Sequence, residues 1–148
     1  METSKAVQEA YASVREFNDI AGNLTNVTDE GVDNQISLIF EELTETIDGF
    51  EAGDKVAVLD GAIDLFVVVS GLMQKLEAQG YGVAEALKRV TDNNMTKFPP
   101  LGALFGYDPA FKLRYNEQYK RTAIIDGNGK IRKPLGYVSV ELNDLVPA

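Results

Sequence analysis

Cysteine and histidine are both absent from this 148-residue chain. The first absence excludes disulfides and thiolate zinc sites. The second excludes Ser-His-Asp and Cys-His catalysis, imidazole-ligated metals and imidazole acid–base chemistry. Any enzyme built from this sequence must work with carboxylates, Lys, Arg, Tyr, hydroxyls or a bound metal. The sequence also shows no secretory signal pattern and no unbroken apolar run of membrane-spanning length. Its longest apolar stretch is punctuated by Asp60, Asp64 and Ser70. The expectation is a cytoplasmic chain forming one domain, long enough to bury a core.

Charge is present but unevenly spread. The formal net charge is −9. Residues 1–87 hold 17 acidic and 4 basic residues, and residues 88–148 hold 6 acidic and 10 basic ones. Seven of the fourteen Lys and Arg lie between Lys112 and Lys133. An acidic helical part followed by a basic tail suits a ligand made of metal plus phosphate. A solvated acidic surface with an incidental basic loop fits the same numbers. With so few basic residues and so negative a total, nucleic acid is not expected as a partner, and without an apolar run of spanning length neither is a membrane.

Hydrophobic spacing predicts four helices and a tail. The first runs from Ser4 to Ala21, with Val7, Tyr11, Val14, Phe17 and Ile20 at helical spacing. The second runs from Asn34 to Phe50, with Asp33 as its N-cap. Its stripe of Ile36, Ile39, Phe40, Leu43, Ile47 and Phe50 predicts a core-facing side, with Glu41, Glu42, Glu45 and Asp48 opposite. Asp54 caps a third helix from Lys55 to Gln79, closed by Gly80. A fourth runs from Val83 to Thr96 and stops before Pro99-Pro100. The segment 101–119 is weakly patterned, with a short helix predicted after Pro109. Thr122 to Lys133 predicts a β-hairpin turning at Asp126 to Gly129, followed by an extended tail. The predicted class is all-α: a four-helix bundle-type core over residues 1–98, with a C-terminal extension over 99–148 containing a short hairpin and packed on the same domain.

The acids concentrate the chemistry. EELTE, Glu41 to Glu45, is followed fifteen residues later by DGAID, Asp60 to Asp64. Asp60 and Asp64 open the helix whose flanking sequence, Leu59 to Met73, is apolar almost all round. At i and i+4 they share a helix face. Carboxylates on such surfaces need compensation for desolvation and for mutual repulsion. A hard divalent cation held by oxygen ligands supplies both, with Mg²⁺ the first choice and Mn²⁺ an alternative. The plain alternative is that Glu41, Glu42 and Glu45 form a wet helix face and that Asp60 and Asp64 reach the surface at a bundle corner.

These residues carry a resemblance. EELTE, the acidic pair opening an apolar helix, and NNMTKF at Asn93 to Phe98 together resemble the all-α nucleoside triphosphate pyrophosphohydrolases. That superfamily comprises the MazG-like group and relatives such as phosphoribosyl-ATP pyrophosphohydrolase. Glu41, Glu42 and Glu45 match its E-E-x-x-E pattern, and Asp64 matches the Asp of its E-x-x-D. The Glu of that second pattern is absent: Gly61 stands there, and Asp60 is one position earlier. Asn94, Lys97 and Phe98 fit the family's N-M-S-K-F, while Gly129-Lys130 and Lys133-Pro134 fit its G-K-x-x-K-P. The compact chain and its tail look most like bacteriophage-encoded versions, which would place it in a host cytoplasm.

The resemblance implies hydrolysis of a (d)NTP to (d)NMP and pyrophosphate. It implies catalytic roles for Glu41, Glu42 and Glu45, and metal ligation by Glu42, Glu45, Asp60 and Asp64. Substrate contacts would come from Asn94, Lys97, Lys130 and Lys133, with Phe17 and Asn18 candidates for the base. It implies homodimers, often paired into homotetramers. Phe17 also has the spacing of simple core, and the tail lysines the character of solubilising charge. A related enzyme for a non-standard nucleotide or phosphoribosyl-ATP, a silent nucleotide-binding or assembly module, and an acidic mimic of nucleic acid all stay open.

Overall fold

The structure is a computed structural model that describes residues 2–100 and 108–148. The described residues are mostly helical: α1 (Thr3–Ile20), α2 (Asp29–Glu51), α3 (Lys55–Ala78) and α4 (Val83–Met95). A three-stranded antiparallel sheet follows, in the order β1 (Lys112–Asn116), β2 (Arg121–Ile125) and β3 (Ile131–Arg132). A 3-10 turn at Asn143–Leu145 closes the chain. Two compact units result: Met1–Val83 with Val146–Ala148, and Ala84–Leu145. Beyond its first residue, α4 groups with the sheet rather than with α1–α3.

Local chemistry sets the helix ends. The Asp54 carboxylate accepts from the N–H groups of Val56 and Ala57, both at 3.0 Å, and caps α3 as expected. Gly53 and Gly80 take φ of 71° and 96° where α2 and α3 end. The start of α2 differs from the expectation. It begins at Asp29 rather than Asn34, because Thr28 accepts from Gly31 N at 3.1 Å and Asp29 and Glu30 sit in the positive first turn.

The larger difference concerns which side of α2 is covered. Ile36, Phe40, Leu43, Ile47 and Phe50 are exposed, Phe40 at 70% and Phe50 at 75%. The side turned to α3 is instead Val32, Gln35, Ile39, Glu42, Thr46 and Gly49, all buried or half-buried. Periodicity marks a stripe that must be covered without naming what covers it. Small residues decide the contact. A methyl group at Gly49 would come within 2.8 Å of the Ala57 methyl, and one at Gly61 would collide with the Thr46 hydroxyl.

The interior between α1, α2 and α3 is correspondingly polar. Gln74 accepts from Asn18 at 3.2 Å and donates to Tyr11 O at 3.1 Å, while Gln35 donates to Val68 O at 2.8 Å. Lys75 donates to Gly31 O at 3.0 Å, and burial pulls its pKa below the usual lysine value. Val14 is the buried apolar residue of α1, whereas Val7, Phe17 and Ile20 on the same helix are exposed.

In the second unit the hairpin forms where expected. Asp126 organises its turn, accepting from the N–H groups of Asn128 and Lys130 at 2.9 Å and from Arg132 Nε at 2.8 Å. Gly129 takes φ of 78°. Thr122 and Ile124 are buried on one sheet face. No helix follows Pro109: the chain turns and enters β1, which pairs Lys112–Asn116 against Ile125–Arg121. The part of the weakly patterned segment at residues 101–107 lies outside the described residues.

Candidate functional site

The acids gather along the α2–α3 hairpin. Gly31 meets Lys75, Gln35 meets Val68 and Gly71, Thr46 meets Gly61, and Gly49 meets Ala57. These contacts fix an antiparallel register. The α2 positions 32, 35, 39, 42, 46 and 49 and the α3 positions 57, 61, 64, 68, 71 and 75 alternate at three and four residues, so each set forms one helix side. Glu42 and Asp64 fall opposite each other within this seam, and both are half-buried.

Stepping back one residue on each of two antiparallel helices turns toward the same flank of the pair. Glu41 and Glu45 therefore share a flank with Asp60, and all three are exposed. The opposite flank carries the exposed apolar stripe of α2 beside Ala62, Leu65 and Val69 of α3. The hairpin thus has an acidic flank, where exposed Leu38, Ile63 and Val67 lie among the carboxylates, and an apolar flank, divided by a seam that itself holds two carboxylates.

Electrostatics agrees with this geometry. Burial, then the charges of Asp64, Glu45, Glu41 and Asp60, push the Glu42 carboxyl above its ordinary pKa. Among the described residues none of the five carboxylates forms an ion pair or accepts a hydrogen bond. Nor do any three of them converge tightly enough to form a ready metal cage. The donor set is oxygen-only and unneutralised, which fits a hard divalent cation bound with several waters retained.

Gly61 occupies the position where the resemblance would place a further acid. Its side faces Thr46, whose hydroxyl is tied to Glu42 O at 2.6 Å. A longer side chain there would enter the α2 backbone rather than the acidic flank. Thr46 and Gly61, which set the helix approach, carry no chemical signature in the sequence beyond a glycine inside an apolar helix.

The remaining candidates lie in the other unit. Lys97 donates to Asn94 Oδ1 at 3.0 Å, so those two are brought together. Lys130 and Lys133 line a cleft of about 460 Å³ with Phe111, Ile131 and Arg132, and Lys133 Nζ stands 4.9 Å from the Tyr137 ring centre. Phe17 lies in the first unit on α1 and is 69% exposed, not core; Asn18 is buried and committed to Gln74. One further property departs from the sequence expectation: α3 is long and apolar enough, by length and composition, to cross a membrane. Comparison with protein-family models, curated proteins and solved structures finds no match to this chain.

Proposed function

We propose that this chain is a Mg²⁺-dependent nucleotide pyrophosphohydrolase converting a (d)NTP to the (d)NMP and pyrophosphate. The observation that carries the reading is the set Glu41, Glu42, Glu45, Asp60 and Asp64 on one hairpin, Glu42 and Asp64 facing across its seam, none with a cation partner among the described residues. An NTP brings further negative charge, so substrate and site both require cations. Glu42, Glu45, Asp60 and Asp64 would hold Mg²⁺, with Mn²⁺ an alternative. When bound, the metal supplies charge neutralisation and a lowered water pKa. Glu41, exposed on the acidic flank, is the acid left to orient the attacking water and take its proton, a role only a carboxylate can fill near neutral pH in a histidine-free chain. Lys97, steadied by Asn94, and Lys130 and Lys133 would hold the phosphates and favour departure of pyrophosphate.

The apolar flank supports a homodimer or homotetramer. Exposed Ile36, Phe40, Leu43, Ile47 and Phe50 alternate at spacings of four and three residues, the pattern by which helices pack on helices. A second copy placed on this flank would complete a four-helix bundle-type core from two hairpins.

The test is pyrophosphate release with Mg²⁺ across the eight standard NTPs and dNTPs. Glu45→Gln and Asp64→Asn should each lower it at least about 100-fold while the protein stays folded, since even residues behind metal ligands are worth about 10- to 100-fold. Full activity in both variants would sink the reading. Packing of Gly61 on Thr46 leaves one acid fewer than the resemblance provides, and this favours a silent nucleotide-binding module as the second reading. That reading predicts nucleotide- and Mg²⁺-dependent thermal stabilisation without pyrophosphate release.

A further inference from the structure

The unit Ala84–Leu145 holds another cleft, of about 290 Å³, between the end of α4 and one face of the sheet. Strand register explains its lining. Arg114 pairs with Ala123 and Asn116 with Arg121, so alternation brings Arg114, Asn116, Arg121 and Ile125 to one face. Thr122 and Ile124, both buried, take the other. The floor is apolar, formed by Ala123, Ile125 and Ile131, and Phe98 and Tyr119 add aromatic rings to its wall.

The charged groups in this lining are two arginines, both donors only. Arg114 and Arg121 are diagonal neighbours across the two strands, and like charges so placed oppose pairing. Arg121 is steadied by Phe98 O at 3.2 Å. Neither arginine forms an ion pair among the described residues, and the lining contains no carboxylate. Asn116 accepts from Tyr119 N at 3.1 Å, which fixes the tyrosine backbone and leaves the amide nitrogen as a donor.

We propose that this cleft binds a planar aromatic anion, a ring system bearing a phosphate or carboxylate. The ring would lie on the apolar floor against Phe98 and Tyr119, and the anionic group would take the two guanidinium groups and the Asn116 amide. The volume stands at the lower end of ligand clefts, about 300–1,000 Å³, and suits one ring system with its anionic group rather than a nucleic-acid strand. The inference does not rest on the carboxylates of the other unit, and the measurement is made without divalent metal.

The experiment is calorimetric titration of the full chain in EDTA. The probes are AMP, CMP, GMP and UMP, their nucleosides, 4-hydroxybenzoate and inorganic phosphate. At least one aromatic anion should bind saturably, with the nucleosides and inorganic phosphate about tenfold weaker or more. Which arm binds, nucleotide or benzoate, identifies the anionic group. Arg114→Gln and Tyr119→Ala should each weaken binding about tenfold, and Lys88→Gln, a charge change outside the lining, should not. Arg114 is exposed, so its variant tests the cleft even where Tyr119→Ala fails to fold. The proposal is overturned by no saturable binding of any aromatic anion, by inorganic phosphate binding as tightly, or by unchanged affinity in Arg114→Gln.

Discussion

The two compact units solve the problem of burial in opposite ways. The helical unit, Met1–Val83 with Val146–Ala148, carries 16 acidic and 4 basic residues; the unit Ala84–Leu145 carries 7 and 10. In the first, polar side chains occupy the helix contacts and large apolar side chains face outward. In the second, a short sheet buries Thr122 and Ile124, and side chains are tied by ion pairs such as Arg89 with Asp144 at 2.8 Å and Arg132 with Asp126 at 2.7 Å. A unit whose helix contacts are polar, with the Ser70 hydroxyl buried and without a partner, and whose large apolar side chains face outward is built to be covered. A unit whose helix and hairpin are tied by such pairs, with Arg114 and Arg121 left outside them, holds its shape and keeps cations to offer a ligand.

The contrast is broken most severely by charging the apolar flank. Phe40→Glu with Ile47→Glu should reduce the proposed assembly to a monomer in light scattering. Each side chain is worth about 1.5–3 kcal/mol when fully buried, so the pair exceeds about 3 kcal/mol. Lys120→Glu in the other unit should leave the mass unchanged. A wild type already at monomer mass would remove the proposed assembly altogether.

Glycine substitutions sharpen the comparison at a smaller scale. Gly61→Ala forces a methyl group onto Thr46 and should cost about 1–3 kcal/mol in urea unfolding. Gly127→Ala, with open space around it and no positive φ, should change stability by less than about 0.5 kcal/mol. Thr28→Ala removes the α2 cap and should cost about 1 kcal/mol by the same measurement.

The smallest effects appear in pH scans in EDTA, and they have opposite signs. Backbone N–H groups of Lys130 and Asn128, with Arg132, hold Asp126 below its ordinary pKa. Its contribution is present above the usual carboxylate range and is lost as pH falls through the folded value, so Asp126→Asn should be less stable than wild type at pH 7 and converge with it in acid. Glu42 lies above its ordinary value, so wild type gains stability as pH falls through that raised value. Glu42→Gln should therefore melt higher than wild type at pH 7, and this advantage should vanish near the ordinary glutamate pKa. A lower Tm for Glu42→Gln at pH 7 would contradict the crowding of negative charge in the seam.

Features governed by adjacent residues were legible in the sequence. The Asp54 cap, the glycine stop at Gly80 and the Asp126–Gly129 turn each depend on a few neighbours. Asp60 and Asp64, one turn apart, end in different settings: Asp60 is exposed on the acidic flank and Asp64 is half-buried in the seam. What depended on a partner was not legible. The Ile36–Phe50 stripe is a true apolar face, but Gly49, Ala57 and Gly61 gave the α2–α3 contact to the other side. Strand β1 escaped notice because only Leu113 and Tyr115 mark its apolar alternation, and its cations line a cleft that exists only once β2 pairs with it.

The connection between α2 and α3 is three residues long, Ala52–Asp54. Contacts so local in sequence close early in folding. The hairpin that lines up Glu42 with Asp64 would thus assemble as a first-order event, ahead of any encounter between copies. Covering of the apolar flank by a second copy, as proposed, would be a separate step whose rate scales with protein concentration.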